Sequence, residues 1–181
     1  MEELPKKLPL EVRTNKFKIS EGWEDSHRLI HPKIFFDLFQ KVLKEYGIDL
    51  TNNIKVLEIG SGNAIFLDYL RHKGVNAVGV DARPRGYKKL PQFIARIEQL
   101  PFRAGFFDIV LSTGVFDKSV YTQNQNLMIK EIARVLKHRG IYLGNKEFHM
   151  ALSPQTKRSR PPIVKGFNLI PNDLVTIYQK S

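Results

Sequence analysis

An apolar run that turns on two glycines and is answered, one helix later, by a second run ending in an acid leaves a chain few folds to choose from. Here the first run is Lys55-Val56-Leu57-Glu58-Ile59, the turn is Gly60-Ser61-Gly62-Asn63-Ala64, and the second run is Val78-Gly79-Val80-Asp81. Strand, glycine turn, helix and a strand closing on a carboxylate is how an open α/β sheet holds a nucleoside-bearing cofactor. Gly60 and Gly62 let the backbone approach a small ligand because no Cβ intervenes. An acid at Glu58, in an otherwise apolar run, is unexpected unless a ligand uses it. Glu58 is suited to a positively charged ligand group, and Asp81 to both hydroxyls of a ribose.

The spacing narrows the cofactor. A dinucleotide turn needs a third glycine where the helix packs around a pyrophosphate, and that place falls on Ile65. No Lys-Ser or Lys-Thr follows the glycines to cradle a phosphate instead. NAD and ATP both lose ground.

In this region the chain resembles the class I S-adenosylmethionine-dependent methyltransferases. Glu58 to Ala64 is similar to that family's acid-x-Gly-x-Gly-x-Gly loop, and Asp81 to the acid closing its second strand. Ile97-Glu98-Gln99-Leu100-Pro101-Phe102 resembles the segment that contacts adenine, and Phe107 to Ser112 resembles the fourth strand. Glu131 to Gly140, with Arg134-Val135-Leu136-Lys137 before Arg139-Gly140, resembles the helix and turn leading into the fifth strand. The matches span residues 54–147, and their order is what is specific.

The resemblance implies a Rossmann-like α/β fold, a doubly wound and mostly parallel sheet in three α-β-α layers with a C-terminal antiparallel hairpin. It implies S-adenosylmethionine as cofactor, held by Glu58, Gly60, Ser61, Gly62, Asp81, Ala82, Ile97, Glu98, Ser112 and Thr113. Ser112, Thr113 and Gly114 would floor the reaction site. Asp117, Tyr121, His27, His31 and His149 are candidates to orient or deprotonate an acceptor. Each single histidine is also read as a surface or packing residue, and Asp117 as a helix N-cap. Two positions depart from the family pattern. Ala64 replaces a glycine, a mild change if its φ stays below zero. Arg96 replaces an aspartate that would accept from the adenine amino group; arginine only donates, which leaves backbone groups near Ile97 and Glu98 for that ring.

Residues 1–22 read as an arm punctuated by proline and lysine, and residues 23–181 as one domain. Ile34, Phe35, Leu38, Phe39, Val42, Leu43 and Tyr46 recur at helical spacing, predicting a helix that covers one sheet face and ends at Gly47. Strands are expected over 54–59, 76–81, 93–97, 107–113 and 140–146, with helices over 63–73 and 121–138. The prolines and glycine between Arg83 and Pro91 predict a truncated crossover. Phe167–Ile170 and Leu174–Gln179, flanking Pro171-Asn172-Asp173, predict a hairpin. The proline- and base-rich stretch from Ser153 to Lys165 is unlike a long helix.

The net charge of +11 is local. Residues 1–53 balance at nine against nine, whereas 83–103 carry six basic residues against one acid, and 148–181 five against one. Segments 83–103 and 157–165 therefore suit an acidic partner, unless the charge serves solubility alone. Absence of cysteine excludes disulfides, thiolate metal sites and thiol nucleophiles, and no histidine–carboxylate cluster suggests a metal. No run approaches a membrane span, and no apolar stretch follows a basic start, so a cytoplasmic protein is expected. No Asn/Asp-Pro-Pro-Tyr/Phe follows the fourth strand, which disfavours a base-amine acceptor. A small molecule or RNA is the expected substrate of a methyltransferase. The alternative is a non-catalytic Rossmann-like binding module that holds RNA on its basic surface.

Overall fold

The computed structural model describes residues 32–50, 53–83, 90–112, 125–145, 166–170 and 175–181. In chain order these form α1 (Pro32–Lys44), β1 (Lys55–Ile59), α2 (Ile65–His72), β2 (Asn76–Asp81), β3 (Gln92–Ile94), β4 (Phe107–Ser112), α3 (Gln125–Val135), β5 (Leu136–Asn145), β6 (Phe167–Ile170) and β7 (Val175–Lys180). The strands hydrogen-bond into one seven-stranded sheet in the order β3-β2-β1-β4-β5-β7-β6. β1 to β5 are parallel, and β7 runs antiparallel to both β5 and β6. This is the Rossmann-like arrangement with a C-terminal hairpin that the sequence predicts.

Alternation along the strands divides the interior in two. Val56, Ala77, Ile109, Leu111, Ile141, Leu143 and Ile177 pack with Phe35, Phe39, Val42 and Leu43 of α1 and with Phe66, Leu67 and Leu70 of α2. Leu57, Ile59, Val78, Val80, Val110 and Tyr142 face the other way, against Met128, Ile132 and Val135 of α3. Both faces of β1 are thus covered, which is why its residues read as a nearly unbroken apolar run. Burying each of these large side chains contributes about 1.5–3 kcal/mol. The α1 stripe behaves as its spacing requires, while Ile34 and Tyr46 at its margins are exposed. Below the sheet, Asp108 joins two strand starts, accepting from Lys55 N at 2.8 Å and from Lys137 Nζ at 2.6 Å.

The third helix is shorter than its pattern suggests. Its described residues end at Val135, and the chain pairs with β4 from the next residue, Leu136 opposite Phe107. The Arg134 and Val135 carbonyls accept from Gly105 N and Phe106 N, diverting the last helical turn into the sheet. A slip in register follows, because Ile109 faces Ile141. The chain bulges there through Arg139 at φ 60, and Gly140 fits because an added Cβ would lie 2.9 Å from the Lys137 carbonyl. The predicted strand over 140–146 is therefore, as far as Asn145, the later part of a longer β5 that begins at Leu136. The hairpin of β6 and β7 forms as expected. The arm, the crossover residues 84–89 with Pro84, and the basic stretch at 153–165 lie outside the described residues, whereas Pro91 is described and its carbonyl accepts from Gly79 N at 2.9 Å.

Candidate functional site

The strand order reverses between β1 and β4, and a crevice opens at such a point beyond the strand ends. Gly60 to Ala64 cross its mouth. Gly60, Gly62 and Ala64 have φ of 71, 48 and 61, so every second residue of the turn is left-handed. That alternation explains a glycine-x-glycine-x-glycine spacing without reference to any ligand. It also corrects one expectation. Ala64 does not keep φ below zero; it takes the glycine conformation with its methyl fully buried, because its N–H closes the turn onto the Ser61 carbonyl while its own carbonyl receives Asp68 N and starts α2. A left-handed alanine costs about 1–2 kcal/mol. Ala64→Gly relieves this but loses a buried methyl and loosens the unfolded chain, so urea midpoints are expected to move by less than about 1 kcal/mol equivalent. Ala64→Val, β-branched at positive φ, is expected to cost about 2 kcal/mol in the same titration.

Three ties press the turn onto β2. Gly60 N and Ser61 N both donate to the Val80 carbonyl, at 2.8 and 3.1 Å, and Gly62 N donates to Asp81 Oδ2 at 2.9 Å. The Ser61 side chain turns inward onto Gly79, where a built Cβ would stand 2.7 Å from its Oγ. Gln92 of β3 reaches over from the next strand and donates through Nε2 to Ser61 Oγ and to the Gly62 carbonyl, each at 2.9 Å. By contrast no described residue lies within 4 Å of a Cβ built on Gly62, so among the described residues the turn is packed beneath and open above.

Glu58 and Asp81 share one face of the sheet, since Glu58 pairs with Gly79 and Asp81 lies two residues further along β2. Both are buried, at 2 % and 9 % exposure. Asp81 Oδ1 accepts from Arg83 N at 2.7 Å, which with Gly62 N fixes its carboxylate while leaving each oxygen a further lone pair. Glu58 Oε2 has no hydrogen-bond partner among the described residues. Burial, with the neighbouring Asp81 charge, pushes the Glu58 carboxyl up to about 8 against a hydrogen bond from the Leu67 backbone. A buried carboxyl with one unpartnered oxygen beside a second acid, under a turn that no described residue covers at Gly62, fits a ligand that brings a cationic group and vicinal hydroxyls.

The other predicted residues divide. Ala82 is exposed just past Asp81, and Ala95 N donates to the Asp81 carbonyl at 3.1 Å, so the chain from β3 passes beside the acid. It then turns at Arg96–Gln99, with Gln99 N on the Arg96 carbonyl. The Ile97 side chain is buried in the core, and Arg96 spends its guanidinium on Glu98, Nη2 to Oε1 at 3.3 Å. Ser112 is buried at the end of β4, hydrogen-bonded to Tyr142, whose hydroxyl is pushed up by burial. It sits on the opposite sheet face from Glu58 and Asp81. Thr113, Gly114, Asp117, Tyr121, His27, His31 and His149 lie outside the described residues.

Gly79 and Gln92 were missed in reading the sequence. A glycine inside a strand does signal close backbone approach. Nothing in one sequence announces that a glutamine on an edge strand will span two neighbours.

Residues 57–144 match a family model described as "Methyltransferase domain". The chain is 24 % identical over 145 residues to a ubiquinone biosynthesis O-methyltransferase of Pelagibacter ubique, an alignment covering 68 % of this chain and 59 % of that protein. This chain thus spans less than two thirds of that relative's length. Among solved structures it superposes on a Pyrococcus horikoshii protein with a TM-score of 0.57 at 16 % identity, covering 82 % of this chain and 91 % of the other. A Methanosarcina mazei protein described as an S-adenosylmethionine-dependent methyltransferase gives a TM-score of 0.54 at 18 % identity, covering 77 % and 96 %. At such identities the structural likeness establishes the fold.

Proposed function

We propose that this chain is a class I S-adenosylmethionine-dependent methyltransferase that transfers a methyl group from S-adenosylmethionine to a small-molecule acceptor, a reading supported by the match of residues 57–144 to the methyltransferase-domain model. The pairing of Glu58 and Asp81 on one sheet face, beneath the open side of Gly62, is the observation that carries this reading. Asp81 accepts from the ribose hydroxyls on the lone pairs that Gly62 and Arg83 leave, and Glu58 faces the positive end of the donor. Gly60 and Gly62 keep the wall of the cleft at backbone height. S-adenosylmethionine supplies an already activated methyl group on its sulfonium, so the protein's work is alignment and exclusion of water.

The basic residues described near the cleft support a small acceptor over RNA. Arg96, beside the cleft, is engaged with Glu98, whereas Arg103 lies at the other end of the sheet, over the Phe106 ring that also carries Lys55 at the start of β1. The name of the Pelagibacter relative, an O-methyltransferase, is in keeping with an oxygen acceptor.

Calorimetric titration with S-adenosylmethionine and S-adenosylhomocysteine tests the donor site. Binding of both is expected, and Asp81→Ala is expected to weaken each about thirtyfold, some 2 kcal/mol for a lost charged acceptor. If neither ligand binds at millimolar concentration, the sheet is a scaffold and the assignment fails. Radiolabelled donor incubated with small-molecule extract and with total RNA tests the acceptor. Label in the RNA fraction alone would reverse that choice.

A further inference from the structure

The turn at Arg96–Gln99 is held from outside the cleft. On α3, Glu131 Oε2 accepts from Leu100 N at 2.7 Å, and Arg134 Nη2 donates to the Leu100 carbonyl at 2.9 Å. Arg134 Nη1 also donates to the Phe102 carbonyl at 2.6 Å, and its Nε and Nη2 grip both Glu131 oxygens at 2.7 Å. One ion pair therefore takes both backbone groups of Leu100, as a neighbouring strand would. Bidentate pairing gives it a fixed orientation. At its other end the same segment is tied to Asp81 through Ala95 N.

The main-chain N–H groups of Ile97 and Glu98 make no hydrogen bond among the described residues, although the turn itself is closed by Gln99 N on the Arg96 carbonyl. A base joined to a ribose held at Asp81 has the 95–99 segment as its neighbour, because Ala95 is bonded to Asp81 itself. Unspent N–H donors favour a ring edge that accepts. Adenine presents an acceptor at N1, whereas hypoxanthine carries a proton there and would set donor against donor.

We propose that Glu131 and Arg134 are positioning residues that set the 96–100 turn against Asp81 and thereby determine which purine the cleft accepts. This rests on the donor-site reading above. Neither side chain touches the ligand; both act through Leu100 and Phe102.

The test compares S-adenosylhomocysteine with S-inosylhomocysteine by calorimetry, in the wild type and in Arg134→Met, Glu131→Gln and Met128→Ala. The ratio of the two affinities is the readout, since a fraction of unfolded protein cancels from it. The wild type is expected to prefer the adenosyl compound by about tenfold or more, the worth of one well-placed hydrogen bond. Arg134→Met is expected to cut the preference below about threefold. Glu131→Gln keeps an acceptor for Leu100 N but not the ion pair, and an intermediate ratio is expected. Met128→Ala, a buried cavity elsewhere on α3, is expected to lower stability and leave the ratio alone. An undiminished preference in Arg134→Met overturns the proposal, and if that variant does not fold, an unchanged ratio in Glu131→Gln does so. Loss of preference in Met128→Ala would also overturn it, since the ratio would then track destabilisation. A wild type that binds both compounds equally refutes the turn's role alone, whereas one that binds neither refutes the donor site with it.

Discussion

Gly79→Ala is expected to lower the thermal unfolding midpoint by about 9 °C, corresponding to about 3 kcal/mol in a chain of this size. A single methyl has this effect because three atoms already occupy its place. The new Cβ would lie 2.7 Å from Ser61 Oγ, 2.8 Å from Leu67 Cδ2 and 2.9 Å from Ser61 Cβ. The leucine tip can swing aside, but the serine Cβ moves only with the backbone of the turn. That backbone is fixed by Gly60 N and Ser61 N on the Val80 carbonyl and by the Gln92 amide on Ser61 and Gly62. Relief therefore means lifting the turn away from β2 and breaking these bonds. The same displacement takes Gly62 off Asp81, so affinity for S-adenosylhomocysteine is expected to fall with stability, in the variant that remains folded at 10 °C. Differential scanning calorimetry measures the first effect and titration the second. A midpoint within about 2 °C of wild type would mean the turn is not packed as described.

The second large effect concerns pH. In the unfolded chain Glu58 ionises in the ordinary carboxylate range, near 4.5, while in the fold burial and the Asp81 charge hold its proton up to about 8. Between those values the unfolded chain has lost a proton that the folded chain keeps. Stability is therefore fully present below about 4.5, falls as pH rises through this window, and levels off above about 8. The loss is on the order of 4 kcal/mol if no ligand intervenes. Denaturant titrations at about pH 5.5 and about pH 8.5 are expected to show the decline in wild type and its near absence in Glu58→Gln, whose side chain stays neutral. A parallel decline in both proteins would assign the effect elsewhere. A cationic ligand group beside Glu58 reverses the balance and draws the proton off. Binding of S-adenosylmethionine at about pH 7 should release close to one proton, roughly, and the apparent enthalpy should differ between phosphate and Tris buffers by that amount. Glu58→Gln should show no such difference.

Much of this fold was legible because its signals are local. The run from Val56 to Ile59, Gly60 and Gly62, and Asp81 after Val80 are read within a few residues of one another, and the hairpin of β6 and β7 is announced by its turn residues. What escaped depends on contacts across the sheet. The end of α3 at Val135 is imposed by Gly105 and Phe106, some thirty residues away in the chain, and helix periodicity carries straight through it. The positive φ of Ala64 is not announced by its residue type, because alanine is a good helix former and its neighbours start a helix. Within the site, the acids were readable from type and place. Gln92, Glu131 and Arg134 act on backbone atoms of distant segments, and a hydrogen bond to a carbonyl leaves no mark on the sequence that supplies the carbonyl.

Two acids packed side by side, one of them with a carboxyl oxygen that has no partner among the described residues, make the ligand-free fold less sturdy than its core alone would allow. A ligand that satisfies them adds its binding free energy to folding. How much intact protein a cell keeps, against its proteases, would then rise and fall with the supply of that metabolite, coupling abundance to nutrition with no regulator in between.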